Sequence, residues 1–146
     1  MEDKQEKKLV TTNQKQYEAK AVIIASGASY RKLGVPGEER LTGMGVSYCA
    51  TCDGAFFRNR TVAVAGGGDV ALEDALFLAR GCEKVYLIHR RDSFRGAKVL
   101  AEQVQTNEKI EILYDTVVEE ICGEGMVEKI KILNKKTQKK KMLAVN

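Results

Sequence analysis

Two cysteines two residues apart, Cys49-Ala50-Thr51-Cys52, with Asp53 directly after them, are the residues of this sequence best suited to chemistry. Thiols at that spacing can bind a metal together with two further ligands, or cycle between dithiol and disulfide. A helix opening near Cys49 would favour a thiolate through its unpaired N–H groups, and Asp53 could hand a proton to a leaving thiolate. A zinc site would have to draw on Cys82, Cys122 and His89, which are scattered. Redox chemistry is therefore favoured, with no metal site expected, and a small zinc protein stands as the alternative.

A second constellation is Gly66-Gly67-Gly68-Asp69-Val70-Ala71. Small residues at the first, third and sixth positions suit a strand-to-helix turn. Gly66 would permit the bend, Gly68 would let a pyrophosphate reach the backbone, and Ala71 would let the helix pack close. The helix N-terminus then faces the anion with unpaired N–H groups and a partial positive charge. An NAD site needs a carboxylate at the end of the next strand to hold the ribose 2′-hydroxyl, but this chain has His89, Arg90 and Arg91 there, with Arg95 following. Guanidinium groups bind a 2′-phosphate through charge-assisted hydrogen bonds, so NADPH is the expected nucleotide. Asp92 reads as a helix cap, and a plain structural or solvated turn is the alternative for both segments.

The elements that would carry these residues can be read from periodicity. Residues 61–65 form a short β-branched and alanine run entering the three glycines, and residues 84–88 form a second buried strand. Between them Ala71, Leu72, Ala75, Leu76, Leu78 and Ala79 recur at helical spacing, with Gly81 expected to end the helix in a left-handed conformation. Strand, helix and strand in so short a span require parallel pairing. A further helix is expected over residues 94–106, capped by Asp92 or Ser93. Strands are expected at 110–114, 117–122 and 126–133, the last two paired through 123–125. Upstream, strands at 8–12 and 16–26 flank a polar turn. Residues 28–46, with the sequence's single proline, Pro36, and Gly37 after it, read as a connecting segment.

With 146 residues, 44% of them hydrophobic, the chain can support one ordinary core. The first thirty residues are too few for a core of their own and look like a piece of a neighbouring domain. The net charge of +4 owes much to Lys135, Lys136, Lys139, Lys140 and Lys141, which lack interleaved aromatics and read as a solvated turn. No nucleic-acid or membrane partner is expected. No secretory signal or membrane-length apolar run is seen, which leads to an expectation of a cytoplasmic protein.

Taken together, Cys49-Ala50-Thr51-Cys52-Asp53-Gly54, Gly66-Gly67-Gly68-Asp69 and His89-Arg90-Arg91-Asp92 with Arg95 resemble the low-molecular-weight thioredoxin reductases of bacteria, as do Ile24-Ala25-Ser26-Gly27-Ala28 and Leu33-Gly34-Val35-Pro36-Gly37. The resemblance runs from about residue 21 to residue 97 and weakens in the C-terminal strands. It implies an α/β, Rossmann-like NADPH-binding domain over 31–146, in which a parallel sheet with flanking helices is joined by a β-meander. Residues 1–30 would then be a strand remnant of an FAD-binding domain.

The implied activity is an NADPH-dependent disulfide oxidoreductase passing electrons from NADPH to FAD, to the cysteine pair, and on to thioredoxin. By analogy Cys52 faces the flavin, Cys49 attacks the thioredoxin disulfide and Asp53 is the acid. Gly66, Gly67, Gly68, Asp69, Val70, Ala71, His89, Arg90, Arg91 and Arg95 would form the nucleotide site. Val70 departs from relatives that carry a hydroxyl there, which would remove one pyrophosphate contact. The family's two flavin-binding segments are missing from this sequence, so the chain is expected to hold NADPH without FAD and without turnover, while the complete enzyme would be a homodimer. An NADPH-sensing module with the thiols as a redox switch is the competing reading.

Overall fold

The computed structural model describes residues 7–27 and 29–146. The chain divides into two units, one ending at Tyr30 and the other running Arg31–Asn146. In the first, β1 (Lys8–Thr11) pairs antiparallel with β2 (Gln16–Ala19). The turn between them closes on Thr12, whose hydroxyl donates to the Lys15 carbonyl at 2.9 Å and accepts the Lys15 N–H at 3.1 Å. The second strand stops well short of the expected residue 26. The ladder runs from Lys8 opposite Ala19 to Thr11 opposite Gln16, and residues 21–26 lie outside it. The apolar residues Ile23 and Ile24 are consequently 91% and 87% exposed.

The second unit is built in three layers. Its centre is a parallel sheet of order β3-β4-β5, comprising Thr61–Ala65, Lys84–Ile88 and Ile110–Leu113. The helices α2 (Asp69–Ala79) and α3 (Lys98–Gln105) cover one face, where Leu72, Ala75, Leu78 and Val104 pack on Val62, Val85, Leu87 and Ile110. The other face is covered by an antiparallel meander of β6 (Thr116–Cys122), β7 (Lys129–Asn134) and β8 (Lys140–Ala144). Ile121, Ile130, Ile132 and Leu143 meet Ile88 there, with Leu41 from the connecting segment buried among them. The expected α/β class, parallel sheet and meander are all present, and among the described residues no helix is long and apolar enough to cross a membrane.

Several local expectations are corrected. Neither Asp92 nor Ser93 caps α3, which begins only after Ala97. The Arg95 and Gly96 N–H groups are instead donated to the Gly67 carbonyl, at 2.8 and 3.2 Å, so the segment cannot enter the helix earlier. Gly81 has no positive φ; α2 ends through N–H bonds from Gly81 and Cys82 to the Leu78 carbonyl. The third strand of the meander hides in the lysine run: residues 135–139 make the turn, but Lys140 and Lys141 belong to β8. There Leu143 is buried while its neighbours stay exposed. Strand β7 starts at Lys129 rather than residue 126, because the Val127 and Glu128 N–H groups are given to Met44 and Cys122.

Candidate functional site

Cys49 and Cys52 are joined by a disulfide with their Cα atoms 5.3 Å apart. Cys49 is the extended N-cap of the short helix α1 (Ala50–Asp53), and its sulfur accepts the Cys52 N–H at 3.2 Å. A 3₁₀ turn, Gly54–Phe57, follows. The buried Cys82 thiol donates to the Phe57 carbonyl at 3.2 Å and fixes the end of that turn. Gly54 lies against Phe77 and Leu78, so α1 packs near the C-terminal half of α2, roughly 12 Å along the helix axis from the glycine turn at 1.5 Å per residue.

Ser47 is a participant that sequence reasoning did not find. Its hydroxyl donates to Asp53 Oδ2 at 2.6 Å and its oxygen accepts the Cys49 N–H at 3.1 Å. One side chain thus ties the carboxylate to the first cysteine. Serine five residues before the second thiol carries no signature by itself, because only the fold of the turn brings it back onto Asp53.

Glu38 was missed as well. It is 2% exposed and accepts N–H groups from Leu33 and Gly34 at 2.8 and 2.7 Å and the Tyr48 hydroxyl at 2.9 Å. Burial pushes this carboxyl up, but the Leu33 and Gly34 N–H groups and the Tyr48 hydroxyl outweigh it, and the net shift is below the ordinary 4.5. A depressed folded pKa means that Glu38's contribution to stability is complete above the ordinary value and is lost as pH falls through the folded one. We expect Glu38→Gln to cost about 1–3 kcal/mol at neutral pH. Its melting temperature should also fall less than wild type's between about pH 5 and pH 3. Thermal melts across that range check this, and parallel pH profiles would refute it.

At the glycine turn each of the three positions has a different reason for lacking a side chain. A Cβ on Gly66 would lie 2.5 Å from the Ala71 Cβ, so this glycine allows the close approach of α2; its φ is not positive, and the bend itself does not require it. A Cβ on Gly67 would run into the His89 imidazole. Gly68, the extended N-cap of α2, has nothing within 4 Å of the same position. That open space lies where an anion would approach the first turn of the helix.

His89 is buried, with Nε2 2.9 Å from the Ser93 carbonyl, and its ring lies 5.6 Å from that of Phe94. It holds the arginine loop from the inside while Arg90, Arg91 and Arg95 are exposed. The loop is bound to the glycine turn through the two N–H donations to Gly67, and again through Asp69, whose Oδ1 accepts the Ala97 N–H at 2.6 Å. Asp69 therefore has a structural partner in addition to its place in the turn. Val70 is 72% exposed on the first turn of α2, and Ala71 is half-buried against Gly66. The structure thus brings together the glycine turn and the arginine loop, with the disulfide near the other end of α2. Among the described residues no group of three or more His, Cys, Asp or Glu side chains is placed to hold a metal ion.

Residues 2–145 match the family model described as pyridine nucleotide-disulphide oxidoreductase. A thioredoxin reductase of Helicobacter pylori is 52% identical over 132 residues, covering 90% of this chain and 42% of the relative. One from Mycolicibacterium smegmatis is 49% identical over 138 residues, covering 94% and 44%. The crystal structure of Lactococcus lactis thioredoxin reductase in its FR conformation superposes with a TM-score of 0.82 at 41% identity, over 99% of this chain and 48% of that one. The chain thus spans less than half the length of these relatives.

Proposed function

Because the chain belongs to the pyridine nucleotide-disulphide oxidoreductase family, with its similarity running to thioredoxin reductases, we propose that it is the part of such a reductase that binds NADPH and carries the redox-active dithiol. The observation that supports this most is the joining of the arginine loop to the glycine turn at the Gly67 carbonyl, beside the open space at Gly68. In this reading the Gly66–Ala71 turn receives the pyrophosphate, with Asp69 and Val70 on its first helical turn. Arg90, Arg91 and Arg95 hold the 2′-phosphate on a loop that His89 keeps in place.

NADPH supplies a hydride, and FAD, held by the rest of the complete enzyme, would carry the electrons onward to the disulfide. The unit ending at Tyr30 is proposed as part of that flavin-binding domain, and this chain alone as lacking flavin and turnover. What the chain's own residues do is local. Reduction of the Cys49–Cys52 bond would leave the Cys49 sulfur facing the Cys52 N–H, a contact that favours the thiolate needed to attack a partner disulfide. Asp53, with Oδ2 held by Ser47, has Oδ1 available to exchange a proton with the departing sulfur. Thioredoxin as the partner, a homodimer of the complete enzyme and a cytoplasmic setting belong to the same proposal.

The test is equilibrium titration of the chain with NADPH and NADH. Wild type should prefer NADPH, and Arg90→Ala with Arg91→Ala should weaken NADPH about 10- to 100-fold while changing NADH little, since each charged contact to the phosphate is worth more than a neutral one. Equal binding of the two nucleotides, unaffected by the substitutions, would overturn the cofactor assignment.

A further inference from the structure

The lysine-rich tip between β7 and β8 is more ordered than a solvated turn needs to be. Asn134 Oδ1 accepts the Lys136 and Thr137 N–H groups at 3.0 and 2.9 Å, and the Gln138 N–H closes on the Asn134 carbonyl at 2.8 Å. The tip is also attached to its surroundings. The Lys135 N–H donates to the Asp115 carbonyl at 2.6 Å, and the Asp115 N–H donates in turn to the Arg91 carbonyl at 3.0 Å. Two backbone bonds therefore link the hairpin to the arginine loop. Lys136 then projects its ammonium to 2.9 Å from Asp115 Oδ2 and 3.7 Å from Asp92 Oδ2.

We propose that Lys136 sets the preference for a 2′-phosphorylated nucleotide by neutralising Asp115 and Asp92 at the edge of the arginine loop. This rests on the reading of Arg90, Arg91 and Arg95 as the 2′-phosphate site. Asp92 directly follows Arg91 in sequence, and the Asp115 N–H is bonded to the Arg91 carbonyl, so both acids are carried on backbone that adjoins the arginine loop. Without Lys136 they would repel a dianionic phosphate and compete for the arginines that should bind it. A nucleotide with a plain 2′-hydroxyl would not feel that field. Asp115 is the more important acid, with its side chain 19% exposed against 72% for Asp92, because a half-sheltered charge is less screened by water and salt. Lys136 acts through these acids and is a positioning residue; no contact with the nucleotide is required of it.

The experiment uses the 146-residue chain and reads binding of NADPH and of NADH separately, at low ionic strength and again at high salt. Lys136→Gln should weaken NADPH roughly 3- to 10-fold, the size expected for two nearby exposed charges at high effective dielectric, with NADH unchanged and the difference shrinking in salt. Adding Asp115→Asn and Asp92→Asn to Lys136→Gln should restore NADPH binding, since removing the acids removes the need for the lysine. Position 115 has φ 52°, a conformation asparagine tolerates, so that variant keeps its fold. Equal weakening of both nucleotides, or failure of the acid-free variant to recover, would make Lys136 merely structural and end the proposal; so would unchanged NADPH binding in Lys136→Gln. Wild type with no preference for NADPH sinks the parent reading and this inference together, whereas an NADPH-preferring wild type whose preference survives Lys136→Gln sinks this inference alone.

Discussion

Gly67→Ala is expected to destabilise the chain by about 3–4 kcal/mol, as overpacking plus the loss of a buried hydrogen bond, and to abolish nucleotide binding with it. The added methyl would overlap His89 Nδ1 and Cε1. The ring cannot swing out cheaply, because it is buried, bonded to the Ser93 carbonyl and packed on Phe94, which in turn packs on Tyr114 at 5.1 Å. Gly68→Ala, one residue on, should leave stability nearly intact, since its Cβ meets nothing within 4 Å and its φ of −98° suits any residue. It should nonetheless weaken NADPH, whose phosphates would need that space if they bind at the turn as proposed. Urea melts and NADPH titrations of the two variants, read side by side, check the contrast. Equal loss of stability in both would mean that the three glycines act only as a flexible hinge.

A still larger loss, about 4 kcal/mol or more, is expected for Gly37→Ala, from left-handed strain compounded by a backbone clash. Gly37 has φ +88°, and its Cβ would collide with the Ile121 carbonyl oxygen of β6. Neither side can yield easily, because the Pro36 carbonyl accepts the Ile121 N–H at 2.9 Å and the Gly37 carbonyl accepts the Leu41 N–H at 3.0 Å. Gly34→Ala is the matching control. It has φ +74° but open space around it, so strain alone should cost about 1 kcal/mol. Denaturation midpoints that rank Gly34→Ala as the more damaging change would contradict this account of the connecting segment.

The strands and the glycine turn were legible in sequence because local pattern and tertiary role agree there. The runs at 61–65 and 84–88 match β3 and β4 at both ends, since a strand covered on both faces reads as a nearly continuous apolar run, opened here by Thr61 and Lys84. The paired cysteines were legible for a similar reason, since two residues between them let the sulfurs close a disulfide. What escaped was set by partners that only the folded chain brings together. Asp92 and Ser93 have the composition of a helix cap, but Gly67, a residue far upstream, takes the N–H groups that a helix would need. Lysines at 140 and 141 obscured β8, whose existence depends on β7 being available to pair with it. Glu38 looks like any surface acid until Leu33, Gly34 and Tyr48 close over it. Lys136 looked solvated because its carboxylate partners come from other loops.

The central strand of the parallel sheet serves two interiors at once. Val85 and Leu87 point toward the helices, while Tyr86 and Ile88 point into the meander, so successive residues of one short segment answer to separate cores. The strand is a party wall. Cavities cut at Val85 or Leu87 and at Tyr86 or Ile88 open into different clusters, so each loss is expected to be set by the neighbours on its own side of the wall.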